Sequence, residues 1–178
     1  MASSLPGNRS SKAIYVAVVG PGADAATQAD TDLARKVGRL LADRDAIVVC
    51  GGLGGVMAAA CEGASKRGGL TVGLLPGSDR ADGNPYLSVA MPTGIGELRN
   101  GLIVRVCDAV IAIGGSWGTL SEIALAMRTG KPTIVISGWT VDDPIDGRTM
   151  DLHQAISAEQ AVAEALRQAA AGMTGGAT

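Results

Sequence analysis

The stretch Ile47-Val48-Val49-Cys50-Gly51-Gly52-Leu53-Gly54-Gly55-Val56-Met57-Ala58-Ala59-Ala60 passes from a β-branched run into four glycines in five residues, then straight into a helix-forming run. Strand, glycine turn and helix follow without a spacer, as in the crossover units that build parallel sheets. The pattern recurs on either side. Apolar strands are predicted at 14–19, 47–50, 71–74, 87–90, 109–113 and 133–136, and Ala/Leu-rich helices at 30–43, 56–66, 97–107, 119–129 and 158–170. Strands that are apolar on both faces must be covered on both sides. With right-handed crossovers this gives a doubly wound α/β domain, with a mainly parallel sheet of about six to seven strands and helices on both faces. Ligands of such folds bind beyond the carboxyl ends of the strands, so the turns that follow the strands carry the functional reading.

Among 178 residues, 26 are glycine and none is phenylalanine, so the core must be built from Ala, Val, Ile and Leu. A hydrophobic fraction of 47% against 18% charged residues excludes disorder for most of the chain. The formal net charge of −2 provides no global positive field for nucleic acid or anionic lipid, so an anion site has to be local. Cys50, Cys61 and Cys107 form no C-x-x-C pair and His153 is the single histidine, so neither a disulfide framework nor a zinc site is expected, and no metal site is assigned. Asp142, Asp143 and Asp146 read as turn chemistry rather than a cation cluster, and His153 as a solvated loop residue. Residues 1–12 and 169–178 read as flexible tails around a single domain at 13–168. No apolar run approaches the roughly 20 residues of a membrane helix, so a cytoplasmic location without membrane contact is expected.

Three turns carry the chemistry. Gly20-Pro21-Gly22-Ala23-Asp24-Ala25 is formally the dinucleotide fingerprint G-x-G-x-x-A. Its partner acid is missing, because the second strand runs directly into Gly51, and this disfavours an NAD enzyme. Gly51, Gly52, Gly54 and Gly55 would let backbone approach a ligand closely, with a helix start behind them. The turn Gly114-Gly115-Ser116-Trp117-Gly118-Thr119 is not a Walker loop, yet its N–H groups, the Thr119 hydroxyl and a helix dipole suit one phosphate. Thr119 and Glu122 also have the spacing of a capping box, which would occupy both side chains locally. Arg99 falls in the first turn of a helix, where a cation opposes the dipole unless an anion or an internal partner such as Glu97 or Asp108 compensates.

Taken together, these turns resemble the Lonely Guy (LOG) superfamily of Rossmann-like nucleotide-binding proteins, long mislabelled lysine decarboxylases. The resemblance rests on Gly51-Gly52-Leu53-Gly54-Gly55-Val56-Met57, on Gly114 to Glu122 against P-G-G-x-G-T-x-x-E, and on Arg99 standing nine residues before Asp108. It implies a ligand site made of Gly20, Gly22, the Gly51–Gly55 glycines, Met57, Arg99, Asn100, Gly114, Gly115, Ser116, Trp117, Gly118, Thr119 and Glu122, with Arg99 and Glu122 as the catalytic pair of a phosphoribohydrolase. Two positions depart from the hydrolase branch: Asn100 stands where Lys follows the Arg, and Gly114-Gly115-Ser116 replaces Pro-Gly-Gly. Arg-Asn instead is similar to the branch that includes molybdenum-cofactor carrier proteins. A decarboxylase is excluded chemically, since a pyridoxal Schiff base needs a lysine at the site. Lys12, Lys36, Lys66 and Lys131 all fall away from the ligand edge.

The reading is therefore a binding protein for a small phosphorylated ligand, either a nucleoside 5′-monophosphate or the pterin phosphate of the molybdenum cofactor, with no required cofactor. The alternative is a phosphoribohydrolase that releases free base and ribose 5-phosphate. The Ala-rich last helix and the resemblance both favour a homo-oligomer, a dimer or larger. Trp139 suits either a ring stack or a subunit contact.

Overall fold

The computed structural model describes residues 13–141 and 152–175. The tail at 1–12 with Lys12, and the acidic residues Asp142, Asp143 and Asp146, lie outside them. The elements are β1 (Tyr15–Val19), α1 (Gln28–Ala42), β2 (Ile47–Cys50), α2 (Val56–Ser65), β3 (Thr71–Leu75), β4 (Val89–Pro92), α3 (Arg99–Val106), β5 (Ala109–Ile113), α4 (Trp117–Arg128), β6 (Thr133–Ile136), β7 (His153–Gln154) and α5 (Ala158–Gly175). They form one parallel sheet of seven strands in the order β4-β3-β2-β1-β5-β6-β7. The direction of winding reverses at β1, whose neighbours are β2 and β5. The crevice of a doubly wound sheet opens at that reversal.

Strand alternation divides the core into two layers. Val16, Val18, Ile111 and Ile113 face α1, α2 and α5, whereas Ala17, Val19, Val110 and Ala112 face α3 and α4. The first layer is dense because it is built from small residues. A Cβ on Gly38 of α1 would lie 1.9 Å from the Ala60 carbonyl oxygen of α2, and one on Gly63 of α2 would lie 1.9 Å from the Arg35 carbonyl oxygen. Backbone therefore meets backbone, and the crowding cannot be relieved by a side-chain rotation. Gly38→Ala is expected to destabilise the protein by about 1–3 kcal/mol through overpacking, read as a lower urea midpoint at unchanged slope.

Several element boundaries differ from the sequence expectation, each for a local reason. α1 starts at Gln28 rather than 30 because Thr27 caps it, in a capping box with Asp30. β4 lies two residues later than 87–90. The Thr71 hydroxyl donates to the Tyr86 carbonyl oxygen at 2.7 Å and accepts from the Ser88 N–H at 2.8 Å, so side chain joins backbone in holding the lead-in. The helix expected over 97–107 is a 3-10 turn at Gly96–Leu98 followed by α3. His153 is not in a loop but in the exposed edge strand β7, paired with Ile134. α5 continues past 170, and Ala169 is buried in the core. No helix among the described residues is long and apolar enough to cross a membrane.

Candidate functional site

At the carboxyl edge of β2, a Cβ on Gly51 would sit 2.3–2.5 Å from the Arg99 guanidinium, so the first glycine of the turn is the floor on which that side chain lies. Arg99 opens α3 and is only 8% exposed, and its Nε has no hydrogen-bond partner among the described residues. Opposite it stands Glu122 of α4, 6% exposed, with Oε1 at 3.8 Å from the Arg99 Nη1. That separation is too long for a hydrogen bond. The two groups attract without closing a contact.

Burial dominates both titrations. It pushes the Glu122 carboxyl up to about 8 despite the opposing pull of Arg99. It likewise lowers Arg99, against the attraction of Glu122. Burial thus favours the neutral carboxyl at Glu122, and the guanidinium opposite it stands in a poorly solvated position with no ion pair at hydrogen-bond distance. Of the internal partners expected for Arg99, Asp108 accepts the Tyr15 N–H at 2.8 Å, and Glu97 is exposed and attracts the guanidinium without forming an ion pair with it.

The capping box expected at Thr119 and Glu122 is not what starts α4. Ser116 is the cap. Its Oγ accepts the Thr119 N–H at 3.2 Å and shares a hydrogen bond with the Thr119 Oγ1 at 2.9 Å. Thr119 is thereby buried two residues inside the helix, and Glu122 is released to face Arg99. Asn100 donates to the Ser121 Oγ at 3.2 Å and lies beside Gly118, which ties the start of α3 to the first turn of α4. Gly118 itself is open.

The remaining glycines serve internal packing as well as any ligand. Gly55 has a φ of 66° and presses on the Pro21 and Gly22 backbone, where no side chain would fit. Gly20 lies under Val56 and the Ile113 carbonyl, Gly52 against Leu75, and Gly54 against Ala23. Gly114 packs on the Asp30 carboxylate and Gly115 on the Trp139 indole, whereas Gly22 has open space around its Cα. Trp117 is 80% exposed at the mouth, its ring 5.8 Å from that of Trp139. Met57 turns inward instead, into a small cluster with Cys50 and Cys61.

Those two cysteines are a pairing that their separation in sequence hides. Their sulfurs are 3.5 Å apart, both thiols being free and buried, and the Gly52 N–H donates to the Cys50 Sγ. The bond to Cys50, with burial behind it, pushes the Cys61 thiol well above its ordinary range. The described lysines are all occupied elsewhere: Lys36 with Glu159, Lys66 with Glu62, and Lys131 with the Cys107 carbonyl. No group of three His, Cys, Asp or Glu residues that could hold a metal occurs among the described residues.

Sheet order, winding reversal and the buried Arg99 at the carboxyl edge define a Rossmann-like α/β protein with a charged crevice. The chain belongs to the SLOG cluster4 family, which matches residues 13–169. It is similar in structure to the molybdenum cofactor binding protein of the phototrophic bacterium Rippkaea orientalis, at 33% identity and a TM-score of 0.76, covering 85% of this chain and 94% of that one. The molybdenum cofactor carrier protein of Chlamydomonas reinhardtii is 27% identical with a TM-score of 0.76, over 90% of this chain and 99% of that one. An uncharacterized protein of Archaeoglobus fulgidus is 41% identical over 115 residues, 61% of this chain and 76% of its own length. The resemblance to the LOG and molybdenum-cofactor carrier superfamily drawn from the glycine turns and Arg99 is thus established at the level of family and fold.

Proposed function

We propose that the protein binds a small phosphate monoester that carries a flat heteroaromatic ring, a nucleoside 5′-monophosphate or a pterin phosphate of the molybdenum-cofactor kind. The observation that carries this is the buried Arg99 guanidinium, with an unpartnered Nε and a buried carboxyl opposite that stands too far away to hydrogen-bond to it. An uncompensated cation in a low dielectric is stabilised by an anion, and a phosphate accepts several N–H donors at once. The phosphate would sit at the start of α4, over Gly115 to Thr119, within reach of Arg99 and of the helix dipole. Gly22 and the Gly51–Gly55 turn would face the ring from the opposite side of the crevice. The names of the two similar proteins, a molybdenum cofactor binding protein and a carrier protein, favour the pterin member of the class. Molybdenum chemistry would then belong to the ligand, and this chain's residues would bind and orient it.

The hydrolase reading is weaker on electrostatic grounds. Departure of the base builds positive charge on the ribose, which an ionised carboxylate would stabilise. Burial pushes the Glu122 carboxyl up to about 8, which disfavours the ionised form that this step would need at pH 7. Asn100, fixed to Ser121, adds no cation where the hydrolase pattern has Lys.

The test combines three measurements on the purified full chain. Mass spectrometry of retained small molecules is expected to find a phosphorylated heteroaromatic compound. Calorimetry is expected to show AMP or GMP binding without divalent metal. Chromatography after incubation with AMP, GMP, CMP and cytokinin nucleotides is expected to show no free base at an enzymatic rate of about 1 per second. Turnover at that rate would make the protein a hydrolase. Binding of ATP only with magnesium, and none of AMP, would remove the phosphate-monoester assignment.

A further inference from the structure

The chain has two Trp, two Tyr and no Phe, yet both Trp stand together at the mouth of the crevice. Trp117 is the first residue of α4, on the turn assigned to the phosphate, and is 80% exposed. Its ring leans on Trp139, with 5.8 Å between centroids and 38° between planes, and most of the Trp117 indole is left open. Trp139 is held by a tight turn at the end of β6. The Gly114 N–H donates to the Ile136 carbonyl oxygen at 3.1 Å, Ser137 then adopts a φ of 53°, and a Cβ on Gly138 would lie 2.5 Å from the Gly114 carbonyl oxygen. A left-handed serine is uncommon and persists only where its surroundings enforce it. This turn sets Trp139 against Gly115, where a Cβ would meet the indole Nε1 at 2.9 Å. That Nε1 is buried and has no hydrogen-bond partner among the described residues, although buried indole N–H groups ordinarily find one.

We propose that the two Trp form a second ring site, so that the full ligand has planar groups on both sides of its phosphate and is a dinucleotide-like pyrophosphate. The inference rests on the phosphate reading above and deepens it by extending the ligand, of which AMP fills one half. Sheet order decides the point. The Gly51–Gly55 turn follows β2 and Trp139 follows β6, with β1 and β5 between them. Three interstrand spacings of about 4.8 Å separate those flanks by roughly 14 Å. One nucleobase or pterin is too narrow to rest on both. The phosphate turn follows β5, between the flanks, so a monoester with its ring on the glycine side ends at the phosphate and leaves the Trp pair empty. A second phosphate in anhydride linkage would continue past Gly115 toward β6, and its ester would carry the second ring onto Trp117. Stacking on an indole suits any base, because every base presents a π face. An anionic oxygen brought to Gly115 would also supply the acceptor that the Trp139 N–H lacks.

The test is calorimetry of the full chain with AMP, ADP-ribose and diadenosine pyrophosphate. The last two share the pyrophosphate, its charge and both riboses, and differ by the second adenine alone. Diadenosine pyrophosphate is expected to bind about fivefold to 150-fold more tightly than ADP-ribose, the range of base–aromatic stacking. It is also expected to quench tryptophan fluorescence where ADP-ribose does not. Trp117→Ala is expected to remove the preference, and Trp117→Tyr, which keeps a ring, to retain most of it. Because the readout is a ratio of affinities, a general change at the phosphate turn cancels. At 80% exposure the Trp117 side chain lies outside the core, and melting followed by circular dichroism checks that both variants fold. Equal affinities for the two pyrophosphates in the native protein, or a preference that survives Trp117→Ala, would overturn the inference, while AMP binding in the same experiment would leave the phosphate reading standing. Failure of all three probes to bind would remove that reading and this inference with it.

Discussion

Raising the pH from about 5 to about 8 is expected to destabilise the native protein by about 3–4 kcal/mol through Glu122 alone, and Glu122→Gln is expected to abolish that loss. The carboxyl is ordinary in the unfolded chain at 4.5 and raised to about 8 in the folded one. Between those values the folded state holds a proton that the unfolded state has released. Stability therefore falls as pH rises through this window, and levels off above the folded value. Other shifted groups are present in both the native and the Gln protein, so their contributions largely cancel in the difference. Glu62 is held below its ordinary value by Lys66 and Arg35, and its contribution is lost only in acid. Cys107, raised by burial to about 11 from 9, acts above pH 9. Urea denaturation of native and Gln proteins at several pH values isolates the effect as their difference. The curves should coincide near pH 5 and separate toward pH 8, with Gln the more stable. Parallel curves would mean that Glu122 ionises normally in the folded protein.

The same titration reaches the proposed ligand. While Glu122 is neutral, Arg99 presents a full charge to the crevice, and once Glu122 ionises, that charge is answered internally. Phosphate-monoester affinity should therefore decline above about pH 8 in the native protein and stay level in the Gln variant. A carboxylate needed in its ionised form would behave in the opposite sense.

Much of the fold was legible because the first six strands are apolar runs that end in glycine or close to it. Val16 to Val19 and Ala109 to Ile113 can only be central strands of a covered sheet. What could not be read is set by contacts distant in sequence. The start of α4 turns on Ser116 competing with Thr119 for the cap, and both types are good caps. The Arg99–Glu122 opposition joins residues on different helices, and Glu122 was legible as an acid near a helix start without its partner. The Cys50–Cys61 contact depends on how α2 folds back over β2. Gly51 illustrates the limit most plainly: four glycines in five residues signal close approach, but not that the nearest group is the chain's own Arg99. The short β7 has two exposed residues and no hydrophobic pattern to announce it.

Replacing Arg99 by Ala is expected to weaken binding of a nucleoside monophosphate or pterin phosphate by roughly tenfold to 150-fold, the 1.5–3 kcal/mol of a hydrogen bond to a charged group. Loss of the guanidinium removes the one influence that lowers the Glu122 carboxyl, so Glu122 stays protonated and no bare charge is left buried. The cost to the fold is then confined to lost packing of the Arg99 stem, and the melting temperature should move little. Gly51→Ala offers an independent route to the same end. Its new methyl would sit 2.3–2.5 Å from the guanidinium and displace it, although the substitution removes no charge. Calorimetry with AMP or GMP should therefore show weakened binding in both variants. A fall in melting temperature with unchanged affinity would instead assign Arg99 to an internal electrostatic contact with Glu122. Weakened binding in Arg99→Ala but not in Gly51→Ala would mean that the guanidinium reaches the phosphate from a position other than the one it holds on Gly51.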